Sequence, residues 1–157
     1  MIDMRYIYEQ CQSILDPALP WISNVSNILA ILYHEISDLN WVGVYFTDPQ
    51  KQLCFLGPFQ GKVACTKIPY GKGVVGTCAQ QKKTLVVNDV HAFPGHIACD
   101  SASRSEIVIP LYKDENIIGV LDIDSPLLTR FQIPEESVLQ KTADLISELL
   151  SRADCLW

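Results

Sequence analysis

A chain of 157 residues, 48% of them hydrophobic, is long enough to fold as one domain around its own core, so stability needs neither a metal nor a disulfide staple. The formal charge of −6, from 18 acidic residues against 12 Lys and Arg, leaves no basic run to track a phosphate backbone and argues against nucleic acid as a partner. The N-terminus lacks a signal-peptide pattern and no apolar run approaches the roughly 18 residues of a membrane span, so no membrane contact and a cytoplasmic location are expected.

In chain order, a short helix is predicted over residues 3–15, ended by the Asp16-Pro17 and Leu19-Pro20 steps. A second follows over 24–38, with Val25, Ile28, Leu29, Leu32 and Ile36 on one face and Ser23 or Asn24 available as a cap. Trp41 to Phe46 is rich in β-formers, and residues 52–56 read as its hairpin partner across Asp48-Pro49-Gln50. Residues 84–87 make a short strand, and 106–112 and 117–123 a second hairpin. From 134 to 151, Pro134, Glu135 and Glu136 open a terminal helix whose apolar face carries Leu139, Ala143, Ile146 and Leu150. The order predicts a single α+β domain over 1–157, a central antiparallel sheet with the N- and C-terminal helices on one face. Residues 58–83 and 88–105 read as long connections rich in Gly, Pro, His and Cys, and long loops in a compact domain are usually functional.

Gly71-Lys72-Gly73-Val74-Val75-Gly76 matches the GxGxxG pattern, but Thr66 to Tyr70 is a poor strand and the later strands form hairpins. The segment reads instead as a Gly-rich turn opening a short helix. His91, His96, Cys99 and Cys65 fit no common zinc spacing, so no metal is expected, and His34 on the second helix reads as a surface or boundary residue.

Six cysteines without a signal peptide do not read as a structural disulfide set, because a reducing compartment keeps thiols reduced, and none lies in a CxxC pair. Cys99 has the setting of a reactive thiol, in a loop beside His96, Asp100, Ser101, Ser103 and Arg104; Cys65 and then Cys78 are weaker candidates. Cys11, Cys54 and Cys155 read as residues of regular elements, Cys54 as core. Asp122 and Asp124 share a strand face, and if Glu106 pairs nearby three carboxyls converge, raising at least one pKa and supplying an acid near neutral pH. The alternative is a solvated face or turn caps.

Gly57-Pro58-Phe59-Gln60-Gly61-Lys62, Ala64-Cys65-Thr66, the run from Asp89 to Asp100, Ser103 to Ile107, and Gly119 to Pro126 together resemble the free methionine-(R)-sulfoxide reductases, which are GAF-domain enzymes. The resemblance covers most of residues 25–150. It implies that Cys99 attacks the sulfur of free L-methionine (R)-sulfoxide, that a carboxyl protonates the oxygen, and that the Cys99 sulfenic acid condenses with a second cysteine. The disulfide would then be reduced by thioredoxin, with no cofactor. Glu106, Asp122 and Asp124 match the family's acidic cluster, with Glu106 and Asp124 also catalytic, and Trp41 and Tyr45 its aromatic wall, although two aromatics on a strand are as often core. The family's usual third cysteine falls at Val75, leaving Cys65 as the resolving residue and Cys78 as an alternative. Rival readings are a GAF module that senses or binds a small ligand and a thiol sensor of peroxide. An apolar stripe on the terminal helices is compatible with a homodimer, and the Gly-rich loops permit closure over substrate.

Overall fold

A computed structural model of the chain describes residues 3–97 and 99–157. Ala98, inside the His96 to Asp100 segment, lies outside the described residues, as do Met1 and Ile2. The elements run α1 (Met4–Ser13), α2 (Trp21–Glu35), β1 (Trp41–Asp48), β2 (Leu53–Gly61), β3 (Lys67–Pro69), α3 (Gly73–Gln81), β4 (Leu85–Val87), a 3₁₀ turn (Val90–Ala92), β5 (Ser105–Lys113), β6 (Asn116–Ser125) and α4 (Ile133–Ser151). The strands form one six-stranded antiparallel sheet in the order β3-β2-β1-β6-β5-β4.

Alternation in the strands divides the interior into two layers. Val42, Val44 and Phe46 of β1, Ile107, Ile109 and Leu111 of β5, and Leu121 and Ile123 of β6 face α1, α2 and α4 in the larger core. Each fully buried Leu or Ile there contributes about 1.5–3 kcal/mol. The residues between them, Trp41, Tyr45, Val108 and Val120, face the other way and pack against α3. The terminal helices therefore share one face, as the sequence predicts, and α3 covers the second.

Helix α4 begins with a capping box between Gln132 and Glu135, with Pro134 in its first turn. Two expectations are corrected. Helix α2 starts at Trp21, and Asn24 is not its cap: buried within the helix, it accepts from the Asp16 N–H at 3.1 Å and donates to the Asp16 carbonyl at 2.9 Å, pinning the α1–α2 connection. Residues 58–83 are not one long loop. β2 runs on to Gly61, β3 pairs with it, and α3 follows, leaving only residues 62–66 as irregular chain before β3. The glycine-rich turn does open α3, with Gly71 at φ 77° and Gly73 at φ 58°, but β3 before it is antiparallel to β2, so no βαβ unit exists there. Among the described residues no helix is long and apolar enough to cross a membrane.

Candidate active site

The second face of the sheet carries the site. Strand register aligns Trp41 of β1, Asp124 of β6 and Glu106 of β5 in one row, and Gly43, Asp122 and Val108 in the next. The sequence's conditional pairing of Glu106 with the two aspartates is met. Oxygens of the three carboxyls lie within 4.8 Å of one another, close enough to hold one small cation, an ammonium included. Glu106 is 6% and Asp122 5% exposed. Burial first, and then the neighbouring carboxyl, pushes the pKa of all three well above the usual carboxylate range. One Asp122 carboxyl oxygen is buried without a partner among the described residues.

Trp41 and Tyr45 form the wall beside these acids, their rings stacked at 5.8 Å, with Phe59 of β2 on the far side of Trp41 at 5.3 Å. Gly43 permits this arrangement: a Cβ there would come within 2.3 Å of the Trp41 ring. Burial and the nearby carboxyls push the Tyr45 hydroxyl far up, so it stays a neutral donor.

Two segments roof the cavity. Residues 62–66 cross over from β2 to β3 carrying Cys65, and the loop before β5 carries Cys99. The two cysteines, 34 positions apart, are joined in a disulfide with Cα atoms 5.7 Å apart. The Cys99 loop is fixed by Asn40, whose amide nitrogen donates to Asp100 at 3.0 Å and to Ser103 at 2.9 Å, and by the Gly73 N–H, which donates to the Gly95 carbonyl at 3.0 Å. The Ala102 N–H and then Asn40 hold Asp100 below the usual carboxylate range, so it remains charged. His96 also lines the cavity; neither ring nitrogen has a partner among the described residues, and burial, then His91, lowers its pKa and keeps it neutral.

Cys78 stands apart. It sits on α3, fully buried against β5, its thiol donating to the Val108 carbonyl at 3.7 Å and its pKa pushed far up by burial. Val75, in contrast, lines the cavity itself. Cys54 is core, its thiol pushed up to about 12 by burial, and Cys11 is likewise buried, whereas Cys155 is exposed near the C-terminus. His34 is exposed.

Gly43, Asn40 and Phe59 were not singled out by the sequence. A glycine inside an otherwise bulky strand is the one available signal, because it marks a close approach. Asn40 acts through partners some 60 positions away, and no local pattern reveals such contacts.

A GAF domain model matches residues 22–150. Over 134 residues, 85% of this chain and 80% of the relative, the sequence is 43% identical to a free methionine-R-sulfoxide reductase of Escherichia coli. The reduced form of fRMsr of Staphylococcus aureus superposes with a TM-score of 0.89 at 42% identity, covering 96% of both chains. The free methionine-R-sulfoxide reductase of Neisseria meningitidis, in complex with its substrate, superposes with a TM-score of 0.88 at 41% identity, covering 95% of this chain and 90% of that one.

Proposed function

This chain belongs to the GAF-domain family of free methionine-R-sulfoxide reductases, and from that premise we propose that it reduces free L-methionine (R)-sulfoxide to methionine through Cys99. The observation that carries the proposal is the Cys65–Cys99 disulfide roofing a cavity walled by three raised-pKa carboxyls.

The substrate's needs match the lining. Its ammonium takes the place at Glu106, Asp122 and Asp124, where a cation relieves the repulsion between buried carboxylates. Its methyl and thioether groups lie against Trp41 and Tyr45, whose rings offer apolar area at low entropic cost. Attack by the Cys99 thiolate on the sulfoxide sulfur needs a proton at the departing oxygen. A carboxyl still protonated near neutral pH supplies it in this reading, and the cross-strand neighbours Glu106 and Asp124, both with raised pKa, are the groups assigned that role. The S–O oxygen passes to Cys99, methionine leaves, and Cys99 is a sulfenic acid. The Cys65 thiol then attacks that sulfur, the S–S bond forms, and the oxygen departs as water. A dithiol, thioredoxin in this reading, returns both cysteines to thiols in a reducing compartment, the cytoplasm. Cys78 is set aside as the resolving thiol because it is fully buried on α3 with its thiol on the Val108 carbonyl, whereas Cys65 is the cysteine joined to Cys99.

The test is a single turnover without reductant. Wild type is expected to yield one methionine per chain together with the Cys65–Cys99 disulfide. Cys65→Ser should yield the same methionine but stop at a sulfenic acid, and Cys99→Ser should yield none. Methionine produced by Cys99→Ser at the wild-type rate would sink the proposal.

A further inference from the structure

The two aromatics of the wall have polar atoms, and both atoms are spent on the same short segment. The Trp41 indole N–H donates to the Lys62 carbonyl at 3.1 Å, and the Tyr45 hydroxyl donates to the Cys65 carbonyl at 3.0 Å. Residues 62–66 contain no regular structure; Val63 in the middle is 88% exposed, and only Ala64 and Cys65 of the strap pack on the core beneath. Its ends are fixed by β2 and β3, while its interior is held at Lys62 and Cys65. A buried phenol hydroxyl needs an acceptor, and the one it has is the backbone of Cys65 itself.

We propose that Tyr45 is a positioning residue for the recycling step: its hydroxyl, with the Trp41 indole at the other end, holds the 62–66 strap so that the Cys65 thiol faces the Cys99 sulfenic acid. This rests on the sulfoxide reductase reading of the site but concerns the closure that follows methionine formation. In that step the Cys65 S–H attacks Cys99 S–OH, the S–O bond breaks, the S–S bond forms, and the oxygen leaves as water with the thiol's proton. The reaction needs the two sulfurs in line, and a strap free to drift lowers the fraction of time they are.

Closure also shuts the site. With the disulfide formed, the cavity has a volume of about 50 Å³, roughly a third of the ~150 Å³ that accommodates benzene in an apolar protein core. Methionine sulfoxide is larger than benzene, so this disulfide-closed cavity is too small to hold it.

Tyr45→Phe keeps the ring and removes the hydroxyl, and the quantity to measure is the rate of disulfide closure relative to the formation of sulfenic acid. In the first arm, free methionine (R)-sulfoxide is the oxidant; in the second, one equivalent of hydrogen peroxide makes the same sulfenic acid (Cys99 S–H plus H₂O₂ giving S–OH and water) without any amino acid bound. Dimedone trapping followed by mass spectrometry reads the sulfenic acid, and loss of free thiol reads closure. The variant is expected to close roughly tenfold more slowly relative to sulfenic acid formation in both arms, the equivalent of ~1.4 kcal/mol and within the range of one hydrogen bond. An unchanged ratio in the peroxide arm overturns the positioning role. A wild-type protein that closes with peroxide but makes no methionine from the sulfoxide overturns the reductase reading and leaves the positioning role standing.

Discussion

Three carboxyls crowded into a buried corner cost stability whenever they are charged, and that cost has a definite sign. Burial raises the folded pKa of Glu106, Asp122 and Asp124, so between the ordinary carboxyl value and the raised one the folded state holds more protons than the unfolded chain. Stability from this cluster is therefore greatest at low pH and is lost as pH rises through the folded pKa values. Asp122→Asn removes one charge at nearly constant shape. It is expected to unfold at higher denaturant than wild type at pH 8, by at least about 1 kcal/mol, a tenfold displacement of a proton equilibrium being worth ~1.4 kcal/mol. The gain should shrink toward pH 4.5 while the ammonium-binding role lowers kcat/KM. Equal stability differences at both pH values would show that the carboxyls are not strained by burial.

At the scale of elements, the long strands were legible and the short pieces were not. β1, β5 and β6 announce themselves through runs dominated by β-formers, and strand alternation alone puts Asp122 and Asp124 on one face. β3 escaped because it has three residues with only Ile68 buried, too little pattern to read. α3 was foreseen only as a short helix after the glycines; its start at Gly73 lacks a side-chain cap and so carries no capping signal. The start of α2 was misread because Asn24, a residue suited to capping, spends its amide on Asp16 instead. The pairing of Cys65 with Cys99 is a long-range event between two irregular segments, and only the family resemblance pointed to it. Within β1, Gly43 does for the site what no larger residue could, since the Trp41 ring occupies the space of a Cβ. Gly43→Ala is expected to displace that ring, raising KM several-fold and costing about 1–3 kcal/mol of stability by overpacking. Steady-state kinetics with denaturant unfolding check it; an unchanged KM would mean that Trp41 does not touch the substrate.

For the molecule as a whole, the disulfide is both a chemical state and a cross-link. Joining residues 34 positions apart restricts the unfolded chain, and loop-entropy reasoning puts the stabilisation at roughly 3–4 kcal/mol. For a protein of this size that is an increase in Tm of about 10 °C on oxidation. Thermal melts with and without a reductant should show it in wild type and not in Cys65→Ser; a persistent difference in that variant would assign the effect to another thiol. Surface ion pairs such as Arg152 with Glu148 and Arg5 with Asp3 are well exposed and add little, so oxidation state outweighs salt in setting stability. The central claim is catalytic, and its most direct measurement is turnover of the separated isomers of free methionine sulfoxide with thioredoxin and its reductase. The account predicts repeated turnover of the (R) isomer, none of the (S) isomer, and none of either by Cys99→Ser. Reduction of both isomers at similar rates, or no reduction of the (R) isomer by the folded wild-type protein, would contradict it.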